Sequence, residues 1–190
     1  NATSKELIKT YNINPLKIYK LKLGYDKESI FPLKVNREQF FLILGRHDYH
    51  KNIPNILKAI KLVKNRDLKF VFVGPFHKKL TPIYKKLTFD LGISKSCIWQ
   101  QWVDTEKKRE LLNRSKGLIM PSLWEGFGIP ALEAMACGTT VLASNKGAIK
   151  EILGDNGLFF DPYSTYSIAN AMYEVANNNY LENKFREFGP

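Results

Sequence analysis

"GLIMPSLWEGFGIPALEAMACGTTVLAS", residues 117–144, runs from one apolar segment through a glycine-rich loop and a helix into a second apolar segment. "GLIM" (117–120) and "TTVLAS" (139–144) have the length of buried strands, and Pro130 suits a first helical turn, where its missing N–H costs nothing. Strand, crossover helix and strand in this order make a parallel βαβ unit. Between them, Glu125 and Glu133 flank Gly126-Phe127-Gly128. Two carboxylates, two glycines and a helix-opening proline exceed what an ordinary connection needs, so the segment points to a bound ligand.

Working outward, the same alternation continues on both sides. Upstream lie an apolar strand "FFLILG" (40–45) and a helix over 52–64 with Ile53, Ile56, Leu57 and Ile60 on one face. A strand over 68–74 follows, then a helix over 81–92 stopped by Gly92, a strand over 97–100, and a helix capped by Asp104 and running to about Arg114. Downstream lie a short helical turn over 148–153, a strand over 157–160 and a helix from Ser164 to Ala176. "KIYKLKL" (17–23) also reads as β-like. The pattern predicts a single doubly wound, Rossmann-like α/β domain. Six parallel strands from "FFLILG" onward fit the order 3-2-1-4-5-6, whose switch point lies between the first and fourth strands. The loops "RHDYHKN" and "PSLWEGFG" leave those two strands and are expected to share one crevice.

At 190 residues, 44% hydrophobic and 13% aromatic, the chain has the composition of a globular domain. It shows no apolar run of the ~20 residues a spanning helix needs and no signal-peptide pattern, so the reading is cytoplasmic. Cys97 and Cys137 sit far apart in apolar surroundings and are expected as buried thiols. The chain opens on Asn1-Ala2 rather than Met, the pattern of a piece cut from a longer protein with tag residues at its front. The net charge of +11 implies affinity for anions. Its lysines are scattered, with no compact basic block or nucleic-acid module; an anionic membrane or a phosphorylated ligand therefore fits better than nucleic acid.

The glycines of "GFGIPALEAM" let backbone amides approach a ligand, and the helix that follows offers orphan donors and a positive dipole end to a phosphate. Carboxylates accept paired hydrogen bonds from vicinal hydroxyls, so Glu125 and Glu133 could each hold one ring of a nucleotide diphosphate sugar. Arg46 and Lys51, in the opposite loop, would neutralise the diphosphate. His47, Asp48 and His50 have the residue types of metal ligands but no fourth partner nearby, and the chain lacks an Asp-x-Asp pair; no metal and no cofactor are expected. Gly126, Gly128 and Ala131 match the spacing G-x-G-x-x-A of dinucleotide-binding folds. The match fails on context, because "PSLWE" separates strand from glycine and the next strand ends in Ser144-Asn145 rather than an acid.

The segments "LGRHDYHKNIPNILKAI", "VFVG", "PSLWEGFGIPALEAMACGTTVLAS" and "GAIKEILGDNGLFFDP" resemble, in order, the C-terminal donor-binding domain of the retaining group 1 glycosyltransferases of GT-B architecture. "WVDTEKKRELLNRS" resembles the family's segment after the third strand. The resemblance covers nearly all of residues 40–162. It implies that Arg46 and Lys51 bind the diphosphate, that Glu125 contacts the transferred sugar, and that Glu133 holds the ribose. It further implies that Gly126, Phe127, Gly128 and Ile129 offer backbone contacts and that Val103 meets the base. Thr140 departs from the usual proline after Gly-Thr, without expected consequence.

On the same resemblance, residues 1–36 form a lead-in from an N-terminal domain plus a first strand, and residues 37–190 the nucleotide-sugar-binding domain. The implied activity is transfer of a hexose from a GDP- or UDP-sugar to a glycan or glycolipid acceptor with retention, in polysaccharide synthesis, the piece alone being inactive. The acceptor would be held by the absent N-terminal domain, and peripheral contact with an anionic membrane is compatible with the charge. Two alternatives stay open: a non-catalytic nucleotide-binding or interaction module, and a nucleotide-sugar epimerase of the same architecture.

Overall fold

The computed structural model describes residues 2–19, 23–65 and 67–178. Its centre is a six-stranded, all-parallel sheet: β1 (Phe40–Leu44), β2 (Lys69–Val73), β3 (Cys97–Gln100), β4 (Gly117–Met120), β5 (Val141–Ser144) and β6 (Gly157–Phe160). The spatial order is β3-β2-β1-β4-β5-β6, so the expected doubly wound topology is the observed one. Helices α1 (Ala2–Tyr11), α2 (Ile53–Leu62), α3 (Leu80–Asp90), α4 (Thr105–Arg114), α5 (Ile129–Ala136), α6 (Ile149–Leu153) and α7 (Thr165–Asn177) complete the described elements of length.

Both faces of the sheet are covered, which is why its strands read as unbroken apolar runs. Phe41, Ile43, Phe70 and Phe72 point into a core closed by α2, α3 and α7. Leu42, Leu44, Val71, Leu118 and Val141 point the other way, into a core closed by α4, α5 and α6. Phe72 stacks on Trp99 with centroids 4.3 Å apart. Each such fully buried side chain contributes on the order of 2 kcal/mol of apolar burial.

The helix ends follow their caps. Asp104 accepts a hydrogen bond from the Lys107 amide at 2.7 Å and opens α4, as its position before a polar helix predicts. Ser164 does the same for α7 through the Ser167 amide at 3.2 Å. Cys97 and Cys137 are buried free thiols, and burial raises both, to about 12 and about 11.

The amino-terminal part differs from expectation. The strand anticipated over 17–23 is not seen in its described residues: Pro15–Lys17 is a 3-10 turn, and Ile18, Tyr19 and Leu23 belong to no element; residues 20–22 lie outside the described set. Among the described residues of the segment the alternating pattern gains no partner strand, and Tyr19 is 88% exposed. Before it, α1 forms where no element was anticipated. Further on, Ile30 enters the core, and Asn113 of α4 grips the chain beside it, accepting from the Leu33 amide at 2.7 Å and donating to the Phe31 carbonyl at 3.1 Å.

Candidate functional site

The crevice lies at the carboxyl ends of β1 and β4, where the strand order reverses. The two loops that leave these strands touch: the Leu123 amide donates to the His50 carbonyl at 2.8 Å. Asn52 fixes the junction. It adopts a left-handed conformation, φ 53°, and its buried side-chain amide donates to the carbonyls of Pro121 and Pro162, at 3.3 and 2.7 Å. One residue thereby ties the exits of β1, β4 and β6 together.

The floor of the crevice needs glycine. At Gly74, after β2, a Cβ would stand 2.1 Å from the Gly45 carbonyl oxygen, so the exits of β1 and β2 can run this close only without side chains. At Gly128, φ is 96° and a Cβ would stand 2.6 Å from Ile149 Cδ1. Gly128 is also the N-cap of α5, with no side chain bonded to the first-turn amides. Pro130 has no N–H and the Ala131 amide donates to the Gly128 carbonyl at 2.9 Å, so the pull on an anion there rests on the Ile129 amide and the helix dipole.

A cleft of about 320 Å³ opens above this floor, lined by residues that include Gly45, Gly74, Val103, Lys108, Ile129 and Glu133. Its size is at the lower end of small-molecule sites. Glu133 is the fifth residue of α5, one turn in, and only 8% exposed. Its Oε1 accepts from Lys108 Nζ at 2.6 Å. Beside the cleft, Glu125 accepts from Lys51 Nζ through both carboxylate oxygens, at 3.0 and 3.3 Å. The α5 amino terminus therefore stands between two carboxylates, each with its own lysine.

Of the residues expected from sequence, Val103, Ile129 and Glu133 line the cleft, while Lys51 and Glu125 meet as an ion pair beside it. Gly126, Phe127 and Gly128 form the connecting turn. Arg46 stands apart: its side chain is 66% exposed, with Nε 3.9 Å from the Asp48 carboxylate.

His47 turns away from the crevice. It is buried between Phe76 and Trp99, with Nδ1 3.1 Å from the Thr81 hydroxyl, and desolvation aided by Lys85 lowers it to about 4. Lys108 and Asn52 were not singled out from sequence. Lys108 follows the Asp104 cap by one helical turn, which places it on the crevice end of α4; Asn52 looks like an ordinary helix cap until its left-handed backbone is seen.

The sequence matches the family model described as glycosyl transferases group 1 over residues 26–190. The chain belongs to this family. The group 1 chain is 29% identical over 161 residues to the MMP alpha-(1->4)-mannosyltransferase of Mycolicibacterium hassiacum, covering 83% of itself and 38% of that protein. It spans less than half the length of the curated relatives it matches first. Its structure resembles that of the C-terminal domain of a glycosyl transferase group 1 family protein from Francisella tularensis: TM-score 0.77, 23% identity, covering 87% of this chain and 94% of that one. It also resembles Anabaena HepE, solved in complex with UDP and glucose: TM-score 0.78, 16% identity, covering 87% and 49%. At these identities the structural likeness establishes the fold of the group 1 domain, a GT-B carboxyl-terminal half.

Proposed function

We propose that this domain binds the donor of a retaining hexosyltransferase. The parent enzyme moves a sugar from a nucleotide diphosphate to a glycan or lipid-linked acceptor, in the cytoplasm at the inner face of a membrane. The observation that carries the reading is the pair of lysine-bound carboxylates, Glu125 and Glu133, on either side of the uncapped α5 amino terminus. In this reading the nucleoside enters the 320 Å³ cleft, with its base toward Val103 and its ribose hydroxyls on Glu133. The diphosphate lies at the α5 amino terminus, within reach of Lys51 and of Arg46 swung in from solvent. The sugar meets Glu125 and the backbone of Gly126, Phe127, Gly128 and Ile129.

Fixed dipoles and cations aimed at the diphosphate stabilise the charge that grows as it leaves, and in such sites they supply several kcal/mol. The proposal assigns that role to Arg46, Lys51 and the helix end, without a metal; a chelator then leaves nucleotide affinity unchanged. Support comes from the family membership and from the mannosyltransferase activity named for the Mycolicibacterium relative.

Calorimetric titration of the 190-residue chain with UDP, GDP and their hexose conjugates tests the reading. We expect selective binding to one base, weakened at least about tenfold by Glu133→Ala, a loss of ~1.4 kcal/mol. Binding that is indifferent to Glu133 and Lys51 sinks it.

A further inference from the structure

We infer that the outward face of α2 and α3 is a docking surface for an anionic lipid bilayer. The net charge is unevenly spread: residues 53–96 hold ten Lys and Arg against two Asp, whereas residues 97–178 hold seven against nine Asp and Glu. The basic part folds into one side of the molecule, because α2 and α3 pack next to each other on the same face of the sheet.

Along α3 and the turn before it, Lys79, Pro82, Lys86 and Phe89 succeed one another at three- and four-residue steps, all exposed. They form one outward stripe, with Ile83 and Lys85 along its margins. Phe89 is 78% exposed and Ile83 59%. From α2, Lys58 and Lys61 are exposed on the same side, and Lys61 Nζ would lie 3.8 Å from a Cβ at Gly92, just past the end of α3. One acid tempers the stripe: Asp90 pairs with Lys86 at 2.9 Å.

Lysines ringed around protruding apolar side chains suit the headgroup boundary of a bilayer. The ammonium groups meet anionic lipid while Phe89 and Ile83 enter the acyl edge. Charge alone would also suit nucleic acid, but the exposed aromatic Phe89 and aliphatic Ile83 among these lysines favour lipid. Among the described residues no helix is long and apolar enough to cross a membrane, so the contact is peripheral.

The test is sedimentation of the protein with phosphatidylcholine vesicles and with mixed phosphatidylcholine–phosphatidylglycerol vesicles, without nucleotide. We expect binding only to the mixed vesicles, released by salt because screening shortens the attraction to ~10 Å at 0.1 M. Lys79→Glu with Lys86→Glu should lower the partition at least about tenfold, and Phe89→Ser should lower it without altering charge. Lys34→Glu with Lys150→Glu makes the same change of net charge elsewhere on the surface and should lower it far less.

Equal losses from the two charge-reversal pairs would reduce the effect to diffuse net charge and overturn the proposal. So would binding to neutral vesicles, no binding at all, or binding of poly(U) through the same lysines without vesicle binding. With no nucleotide present, failure here leaves the donor-binding reading standing, and a failed nucleotide titration leaves this contact standing.

Discussion

Lys51 Nζ lies 3.0 Å from Glu125 Oε2 and 3.3 Å from Oε1, a contact across 74 residues of chain that closes two loops over the crevice. Both side chains are mostly buried, 13% and 14% exposed. Each residue was expected to hold a different part of a donor, yet in the structure they hold each other. On the proposed reading, donor binding would exchange these partners, phosphate oxygens replacing Glu125 at Lys51.

Two effects of Lys51→Ala follow. Removing one partner strands a desolvated carboxylate, which should cost about 2 kcal/mol of stability. Glu125→Ala should cost a similar amount, and the double variant less than the sum, with a coupling of ~1–2 kcal/mol in urea unfolding. Strict additivity would mean that the contact carries no energy. Nucleotide diphosphate affinity should drop at least about tenfold in Lys51→Ala alone.

Lys108 makes the corresponding contact with Glu133, and its 2.6 Å bond holds the carboxylate against the cleft wall. Lys108 is 27% exposed at its side chain and Glu133 10%, so the pair is only partly screened by solvent. Lys108→Ala should lower stability by about 1 kcal/mol and weaken nucleotide binding severalfold, because the cleft loses a cation and Glu133 loses its fixed orientation. Lys108→Arg should restore stability better than affinity, since a planar fork cannot occupy the place of a compact ammonium. Paired calorimetry and thermal unfolding separate these outcomes.

The doubly wound sheet was legible because its determinants are local and repeated. "FFLILG", "LKFVFVG", "GLIM" and "TTVLAS" are apolar throughout, as strands covered on both faces must be. Asp104 announced its helix by cap chemistry. The crevice followed from strand order alone. Pairwise geometry did not: nothing in the chain shows that Lys108 meets Glu133 rather than solvent, or that Asn52 adopts φ 53° to bridge Pro121 and Pro162. The β-like "KIYKLKL" misled for the converse reason, because alternation describes a strand only when a neighbour supplies the ladder.

Gly128 combines a left-handed backbone with a close neighbour. Gly128→Ala should cost about 2–3 kcal/mol, part from φ 96° and part from the 2.6 Å approach to Ile149 Cδ1. Ile149→Ala relieves only the second part. The double variant should therefore lose less, relative to Ile149→Ala, than Gly128→Ala loses relative to the parent, but still lose. Identical penalties in the two backgrounds would show that the clash relaxes freely and that backbone strain is the whole effect.

His47 gives the fold an acid-sensitive point away from the crevice. Burial against Phe76 and Trp99, with Lys85 adding to it, holds the folded imidazole at about 4, below its ordinary 6.5. Between these values the unfolded chain takes up a proton that the folded chain refuses, so stability falls as the pH drops from about 6.5 toward 4. The full effect is at most about 3 kcal/mol. Buried Nε2 has no hydrogen-bond partner to offset the cost of charging the ring. His47→Phe keeps an aromatic ring in the same apolar surroundings and cannot titrate. Its denaturant midpoint should change less than the parent's across this window, and the two curves should diverge most below pH 5; parallel curves would assign the acid sensitivity to carboxylates elsewhere in the fold.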